Sequence, residues 1–181
     1  FVERAKKGNV DLLFLGDSIT EGWLHQGKST WDKHFNSLKA ADFGLSGDGT
    51  QHLLWRLQNG ELEGIKPRVV VLMIGVNSIS AGFSEQQVQR GVEAILKEIR
   101  SKLPKAALLL MGVLPYQAKD HPNRAKIAKL NAALAKHEDK KTLWFIDIGK
   151  SYIDAEGSIP KDLMPDQLHP NEKGYRIWAE A

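Results

Sequence analysis

The sequence predicts a three-layer α/β fold, a sandwich in which helices cover both faces of a mostly parallel sheet. Five short apolar segments alternate with longer amphipathic segments along the 181 residues, which is the pattern of successive βαβ units. Three of the five are apolar almost throughout, as expected for parallel strands covered on both faces. The amphipathic segments repeat their apolar residues every three or four positions, and this spacing indicates helices.

The predicted strands, in chain order, span residues 10–15, 40–43, 69–74, 107–111 and 143–146. Neither an internal repeat nor a linker or low-complexity tract interrupts the pattern. We therefore expect a single domain over the whole chain, 1–181, which is long enough to bury a sizeable core.

The predicted helices are clearest over residues 50–59, 85–102 and 123–140. Ser84 followed by Gln87 predicts a capping box at the start of the second. One apolar stripe runs along that helix and consists of Val88, Val92, Ile95, Leu96 and Ile99.

Composition and charge exclude several classes of protein. Lys and Arg are spread along the chain and the net charge is only +3, so neither nucleic acid nor an anionic membrane surface is indicated as a partner. Without cysteine the chain has neither disulfides nor thiol catalysis, and no histidines have the spacing of a metal site. No apolar run approaches the ~20 residues that cross a bilayer, so no stable membrane insertion is expected. The compartment of this soluble protein stays open between the cytoplasm and secretion after removal of a signal peptide that these residues do not include.

Small and polar residues gather just after the predicted strands. Ligands of open parallel sheets bind beyond the carboxyl ends of the strands, so these residues are the candidates for a functional site. They are residues 16–18, 44–49, 75–78 and 112–116, together with residues 166–169, which lie further beyond the fifth strand.

Ser18 is the candidate nucleophile. It follows the first strand through Gly16 and Asp17 and precedes a short predicted helix over residues 19–23. That position lifts a hydroxyl above the sheet edge and directs helical N–H groups at it. Asp17 is expected to fix the loop by accepting backbone N–H groups. Because a serine hydroxyl is a weak nucleophile, it needs a base within reach and a third group that orients the base.

Asp166 and His169 supply these two groups. They lie three residues apart, on a turn that leads into a last helix with Asn171 as its expected cap. The carboxylate can fix the imidazole tautomer while the other ring nitrogen takes the serine proton. Taken alone, an Asp and a His at this spacing more often form a surface turn.

The remaining requirement is a set of donors for a developing oxyanion. Asn77 follows the third strand, and its side-chain amide is a neutral donor. The glycines of residues 44–49 let the backbone approach a substrate and present an N–H group. Each segment is also explained as a plain turn, so their positions at successive strand ends are what favours catalysis.

Four segments resemble the sequence blocks of the SGNH (GDSL-type) hydrolases, in the order that this family has them. They are residues 14–20 (FLGDSIT), 44–48 (GLSGD), 75–78 (GVNS) and 166–169 (DQLH). Residues 47–62 (GDGTQHLLWRLQNGEL) are similar to one branch, the catalytic subunits of intracellular platelet-activating-factor acetylhydrolase and their bacterial relatives.

The resemblance implies a flavodoxin-like sandwich whose parallel five-stranded sheet has the order 2-1-3-4-5. It also implies a nucleophile at Ser18, a base at His169 and an orienting carboxylate at Asp166. The oxyanion hole implied by the family consists of the N–H groups of Ser18 and Gly47 and the side chain of Asn77. The branch further implies short acyl groups, acetate above all, and a homodimer.

Two positions depart from the family pattern. Val76 and Ser78 stand where the family carries Thr and then Asp or Asn. Asn77 is kept between them, so the amide donor is retained while the residues around it differ.

The predicted reaction is hydrolysis of a carboxylic ester through an acyl-enzyme on Ser18, without a metal or an organic cofactor. The ester substrate is a small molecule, a carbohydrate or a lipid, and the sequence does not choose among them. Asp17, His52 and Arg56 are the candidate substrate-binding residues, and the last two share one face of a predicted helix.

Two other functions compete with this prediction. Residues 22–29 (GWLHQGKS) match the P-loop pattern, in which Lys28 would neutralise phosphate and Ser29 would bind magnesium. A P-loop starts directly at the end of its strand, however, whereas Gly22 comes seven residues after Leu15. The other alternative is a catalytically inactive member of the fold that acts as a binding module.

The tryptophans are assigned mainly to packing. Trp31, Trp55 and Trp144 are expected between the sheet and the helices, where large rings bury the most area. Trp23, close to Ser18 in sequence, is expected to flank the site.

Overall fold

The computed structural model describes all 181 residues and confirms the α/β architecture. Its strands are β1 (Leu12–Gly16), β2 (Ala40–Gly44), β3 (Val69–Met73), β4 (Ala107–Met111) and β5 (Leu143–Ile146). The last two have the predicted bounds, and the other three differ from the prediction by at most two residues at either end. β1 starts late because its pairing with both neighbouring strands begins only at Leu12.

All five strands are parallel, and they lie in the order β2-β1-β3-β4-β5. This confirms the flavodoxin-like order that the resemblance implies. The carboxyl ends align at one edge, because Gly16 at the end of β1 lies opposite Gly44 on one side and Met73 on the other. The loops that follow β1, β2 and β3 are therefore neighbours at that edge.

Eight α-helices surround the sheet: α1 (Val2–Lys6), α2 (Ser18–Glu21), α3 (Lys28–His34), α4 (Thr50–Arg56), α5 (Val76–Ser80), α6 (Glu85–Lys102), α7 (Pro122–Leu134) and α8 (Glu172–Glu180). On one face α4, α6 and α7 pack successively against one another, while α3 and α8 pack together on the other. Phe14 of β1 points into the second layer, where its ring meets Trp31 and Trp178 edge-on. None of the eight helices is both long and apolar enough to cross a bilayer.

α6 has the predicted bounds and starts with the predicted capping box. Oγ of Ser84 accepts the N–H of Gln87 at 3.2 Å, and Oε1 of Gln87 accepts the N–H of Ser84 at 2.8 Å. The predicted apolar stripe of this helix is buried throughout. The predicted cap of the last helix is also confirmed, since Oδ1 of Asn171 accepts the N–H of Gly174 at 3.1 Å.

Three helices differ from their predicted extents. α4 ends at Arg56 rather than at residue 59, because the chain widens into a π turn (Leu57–Glu61) in which Gly60 has a φ of +95°. α7 ends at Leu134 and continues as a 3-10 turn instead of reaching residue 140. The helix predicted over 19–23 is split into α2 and a 3-10 turn. Apolar spacing locates a buried face, but it does not locate the point where the backbone hydrogen-bonding pattern changes.

One of the four tryptophans with a predicted place lies where the sequence predicts it, and the other three do not. Trp31 is buried as expected, but Trp23 is fully buried against Trp31 and Tyr175, so the prediction that it flanks the site is wrong. Trp55 is 64% exposed on the outward side of α4, and Trp144 is 37% exposed on the edge strand β5. The expectation that these two rings pack between sheet and helices is therefore also wrong.

Candidate active site

Ser18 lies at the edge where the loops after β1, β2 and β3 meet. It is the first residue of α2, and Asp17 caps that helix by accepting the N–H of Ile19 at 3.0 Å. Gly16 has no room for a side chain, because a Cβ there would lie 2.0 Å from Oγ1 of Thr20 and 2.4 Å from the carbonyl oxygen of Met73. The turn from β1 into α2 is thus tight, and it holds the Ser18 hydroxyl at the sheet edge.

The Ser18 hydroxyl meets His169, which in turn meets Asp166. Oγ of Ser18 is 2.9 Å from Nε2 of His169, and Nδ1 of His169 is 2.6 Å from Oδ2 of Asp166. An ionised carboxylate can only accept, so Nδ1 carries the proton and Nε2 is free to receive the one from Ser18. The structure therefore brings together the three side chains that the sequence singles out.

Asp166 is held in its ionised form by its own turn. Its Oδ1 accepts the N–H of His169 at 2.8 Å and the N–H of Leu168 at 3.0 Å. Partial burial acts to raise the pKa of this carboxyl, but those N–H groups and the imidazole outweigh it and hold the pKa below its usual value. Gln167 has a φ of +61°, and this left-handed residue lets the chain wrap around the carboxylate.

Gly47 and Asn77 lie on the two neighbouring loops. Gly47 has a φ of +82°, which disfavours other residues, and no atom lies within 4 Å of the position of a Cβ. Asn77 lies in α5, directly after β3, and its Nδ2 donates to the carbonyl oxygen of Asp48 at 3.0 Å. That bond uses one of the two amide hydrogens, so the other is available to a ligand. It also joins the loop after β2 to the loop after β3.

Glu21 ties the loop after β2 to the helix that carries Ser18. Its Oε2 accepts the N–H of Ser46 at 3.0 Å, and the N–H of Leu45 donates to the carbonyl oxygen of Gly16 at 3.2 Å. Sequence reasoning missed Glu21. Its only signal is an acid one turn after the candidate nucleophile, which is too common to single it out.

The two departures from the family pattern have defined places. Oγ of Ser78, only 3% exposed, accepts the N–H of Thr50 at 3.1 Å and so links α5 to the first residue of α4. Val76 is buried in the core. Neither residue displaces Asn77 from the sheet edge.

Of the candidate substrate-binding residues, Asp17 does not fit that role, and Arg56 has its charged group engaged by other residues. Asp17 is 1% exposed beneath the loop, where burial raises its pKa to about 7 although the N–H of Ile19 acts to lower it. The Arg56 side chain is 10% exposed, and its guanidinium is engaged by Asp48 and by Glu61. The prediction for Asp17 is therefore corrected, because its carboxyl group is not free to contact a ligand. Arg56 also borders the groove described next, so substrate contact by its side chain stays a prediction.

His52 remains a candidate for substrate contact. Its Nδ1 accepts the N–H of Gly49 at 3.0 Å, which caps the start of α4 and fixes the orientation of the ring. The exposed ring borders a groove of about 440 Å³ beside Gly47, whose other walls include Leu45, Ser46 and Trp55.

A second cavity, of about 410 Å³, opens directly at Ser18 and His169. Most of its lining side chains are polar. Apart from the two residues named and Asp166, the polar side chains that line it include Glu21, His25, Gln26 and Asn171.

The structure does not support the P-loop alternative. Residues 22–29 form a 3-10 turn (Gly22–Leu24) followed by the start of α3, rather than a loop that could wrap a phosphate. Lys28, the residue that would neutralise phosphate, forms a surface ion pair with Asp32. No group of three or more His, Asp and Glu side chains is arranged to hold a metal ion.

Comparison with known proteins agrees with the resemblance found in the sequence. The sequence profile of the GDSL-like lipase/acylhydrolase family matches residues 14–177. The chain is 37% identical over 179 residues to subunit alpha1 of platelet-activating factor acetylhydrolase IB from Homo sapiens, and the match covers 97% of this chain and 74% of that protein.

Solved structures with this fold include two hydrolases. A GDSL-like lipase from Bacteroides thetaiotaomicron has a TM-score of 0.77 at 22% identity, over 98% of this chain and 86% of that one. A variant of an acetyl-xylooligosaccharide esterase from Geobacillus has a TM-score of 0.73 at 19% identity, over 97% of this chain and 93% of that one. At these identities the likeness is one of fold.

Proposed function

This chain belongs to the GDSL-like lipase/acylhydrolase family and is a carboxylic ester hydrolase, and we propose that it removes short acyl groups through an acyl-enzyme on Ser18. The observation that carries the proposal is the hydrogen-bonded line from Ser18 through His169 to Asp166, with steps of 2.9 and 2.6 Å. A serine in such a line has both the base and the orienting carboxylate that nucleophilic attack requires.

The first half of the reaction forms the acyl-enzyme. Oγ of Ser18 attacks the ester carbonyl carbon while Nε2 of His169 takes the hydroxyl proton. The carbonyl oxygen becomes an oxyanion that accepts hydrogen bonds from the N–H groups of Ser18 and Gly47 and from Nδ2 of Asn77. The tetrahedral intermediate then collapses, the bond to the alcohol oxygen breaks, and His169 donates its proton to that oxygen.

The second half releases the acyl group by the same path. His169 takes a proton from water as the water oxygen attacks the acyl carbon. The oxyanion forms again at the same donors, and the bond to Oγ breaks as His169 returns the proton to Ser18. The products are a carboxylic acid and the alcohol, and none of these steps requires a metal or an organic cofactor.

Acetate is the acyl group that we favour. The names of two proteins similar to this chain refer to acetyl groups. One is an acetylhydrolase subunit and the other is an acetyl-xylooligosaccharide esterase.

The leaving alcohol is expected in the cavity of about 410 Å³ at His169. His169 must protonate the departing oxygen, so the alcohol lies on the imidazole side of the scissile bond. Hydrogen-bonding side chains on the wall of that cavity, among them Glu21, His25 and Gln26, can bind further hydroxyl groups of the alcohol. We therefore favour carbohydrate esters over lipid esters.

The test of the nucleophile is covalent labelling with a fluorophosphonate probe, followed by peptide mass spectrometry. We expect one adduct on Ser18 in the wild type and none in Ser18→Ala. Ser46→Ala is the matched control, because it removes a nearby exposed hydroxyl and should be labelled like the wild type. A folded wild type without an adduct would contradict the mechanism and favour the inactive binding module.

The test of the substrate compares p-nitrophenyl acetate, butyrate and octanoate, and then acetylated xylo-oligosaccharides with a 2-acetyl phospholipid. We expect kcat/KM to fall with acyl length and to be higher for the oligosaccharide than for the phospholipid. Gln26→Leu should lower kcat/KM for the oligosaccharide but not for p-nitrophenyl acetate. A higher kcat/KM for the phospholipid than for the oligosaccharide would favour lipid esters.

A homodimer also remains a prediction, drawn from the resemblance to the acetylhydrolase branch. Light scattering from the purified chain decides it, since a dimer has twice the mass of one chain.

A further inference from the structure

The side chain of Arg56 is 10% exposed and lies against the loops that carry the oxyanion donors, and every nitrogen of its guanidinium is engaged. Nε donates to Oδ2 of Asp48 at 2.8 Å, and Nη1 donates to Oε1 of Glu61. Nη2 donates to two backbone carbonyl oxygens, those of Gly16 at 3.3 Å and Phe43 at 3.2 Å. A planar, permanently charged group with donors in fixed directions can hold four partners in one arrangement, which a lysine cannot do.

The two carbonyl groups belong to the ends of the strands that lead into the site. Gly16 is the last residue of β1 and is followed by Asp17 and Ser18. Phe43 lies one residue before the end of β2, where the loop that contains Gly47 begins. Arg56 therefore fixes the strand end that carries the first oxyanion donor relative to the strand end that carries the second.

Asp48 extends this connection to the third donor. Its side chain binds Arg56, and its backbone carbonyl oxygen accepts the bond from Nδ2 of Asn77 at 3.0 Å. Asp48 is also the residue directly after Gly47. A shift of Asp48 would thus move the N–H of Gly47 and the amide of Asn77 together.

Glu61 is the second carboxylate that binds Arg56. It is 2% exposed and comes from the π turn after α4, in which Gly60 makes the required left-handed bend. Burial raises the pKa of Glu61 to about 7, although the charge of Arg56 and its hydrogen bond act to lower it. Placing a carboxylate in such surroundings is unfavourable, and hydrophobic residues often replace such ion pairs without loss of stability. The ion pair between Glu61 and Arg56 is therefore better explained by a positional role than by a contribution to stability.

We propose that Arg56 is a positioning residue for the oxyanion hole, acting through Asp48 and through the ends of β1 and β2, with Glu61 fixing its guanidinium. This inference rests on the proposed function, because an oxyanion forms only if Ser18 attacks an ester. Arg56 touches no reacting atom. It determines where the three donors stand when the tetrahedral intermediate forms.

The test measures kcat and KM for p-nitrophenyl acetate in Arg56→Met. An oxyanion exists only in the transition state and the intermediate, so we expect kcat to fall by about ten- to a hundredfold while KM changes by less than about threefold. Arg56→Lys should recover part of kcat, because it restores the charge but not all four contacts.

Arg100→Met is the matched control. Arg100 also joins two strands through backbone carbonyl oxygens, those of Ala106 at 2.8 Å and Thr142 at 3.1 Å, but it does so at the opposite ends of the strands. This variant should lower the melting temperature without lowering kcat. Equal losses of kcat in the Arg56 and Arg100 variants, in proportion to their melting temperatures, would overturn the proposal.

Glu61→Leu covers the case in which Arg56→Met does not fold. It leaves Nη1 of Arg56 without its acceptor at a similar side-chain volume, so kcat should fall a few-fold with KM unchanged, and an unchanged kcat would overturn the proposal. The failure of the proposed function has a different signature. In that case the wild type itself neither turns over p-nitrophenyl acetate nor reacts with the fluorophosphonate probe.

Discussion

The hydroxyl of Ser18 lies 2.9 Å from Nε2 of His169, although 151 positions separate the two residues in the sequence. The contact forms because α2 starts at the carboxyl end of β1, near the middle of the sheet, and the turn before α8 returns to the same edge. The turn that carries Ser18 and the turn that carries His169 must therefore both be in place before the serine can be activated.

The first prediction concerns that dependence. Ser18→Ala and His169→Gln should each lower kcat for p-nitrophenyl acetate by about a thousandfold or more, because attack on the ester needs both the nucleophile and its base. The double variant should be no slower than either single variant. Asp166→Asn should also lower kcat, since Asn can donate to Nδ1 and stabilise the wrong tautomer. Steady-state rates in folded protein decide this, and additive losses would show that the residues act separately.

The second prediction separates the oxyanion donor from its support. Asn77→Ala should lower kcat by about a hundredfold with little change in KM, as expected for a donor that acts on the oxyanion. Ser78→Ala should instead destabilise the fold by about 1–2 kcal/mol, because it leaves the buried N–H of Thr50 without an acceptor. Urea unfolding and kinetics on both variants distinguish the two. A hundredfold loss of kcat in Ser78→Ala would show that the departure at this position affects catalysis directly.

The third prediction concerns the pH dependence of stability. Burial raises the pKa of Asp42 from its usual 3.8 to about 7, although the N–H of Gly44 acts to lower it. Between these pH values the folded protein holds a proton that the unfolded chain has released. The contribution of Asp42 to the free energy of unfolding therefore falls as pH rises from about 4 to about 7, and it is level above that range.

Asp42→Asn mimics the protonated acid and should remove this contribution. The free energy of unfolding of the variant, minus that of the wild type, should be more positive at pH 8 than at pH 5, as measured by urea unfolding. Asp32→Asn, on the surface in an ion pair with Lys28, is the control and should show the same difference at both pH values. Buried Asp17 and Glu61 have pKa values raised in the same direction, so part of the slope should remain. An identical stability difference at both pH values for Asp42→Asn would contradict the assignment.

The fourth prediction uses a close approach between Gly22 and Tyr175. A Cβ on Gly22 would lie 1.9 Å from the hydroxyl oxygen of Tyr175, which donates to the carbonyl oxygen of Ile19 at 2.7 Å. Gly22→Ala should therefore destabilise the fold by about 2 kcal/mol through overpacking. Tyr175→Phe should cost about 1 kcal/mol through the lost hydrogen bond.

The two substitutions should be coupled. With the hydroxyl absent, the added methyl group meets less resistance, so the double variant should lose less stability than the sum of the single variants. A double-mutant cycle from chemical unfolding measures this coupling. Strict additivity would show that the chain relaxes around the methyl group without any movement of Tyr175.

The sheet and the candidate catalytic residues could be predicted because their signals are local. Each of Ser18, Gly47 and Asn77 follows an apolar segment whose pattern predicts a strand, and parallel strands bring such positions to one edge. Asp166 and His169 lie close enough in sequence to meet on a single turn. The strand order itself needed the family resemblance, since alternation of strands and helices does not fix it.

The role of Arg56 could not be predicted in the same way. Its partners are two backbone carbonyl groups and the carboxylates of Asp48 and Glu61, and only the packed fold decides that these four converge. On a helical projection Arg56 shares a face with His52, so an outward-facing role is the natural expectation. The clue in the sequence is Glu61, an acid that lies between the apolar residues Leu57 and Leu62.

The packing of α8 against α3 has a consequence for biosynthesis. α8 carries Tyr175, whose hydroxyl binds the carbonyl group of the residue next to Ser18, so the last of these helices to leave the ribosome stabilises the first turn that bears the candidate nucleophile. A nascent chain that has completed all five strands still lacks this contact. Hydrolytic activity should therefore appear only after α8 has docked, and a nascent chain that lacks α8 should not hydrolyse esters.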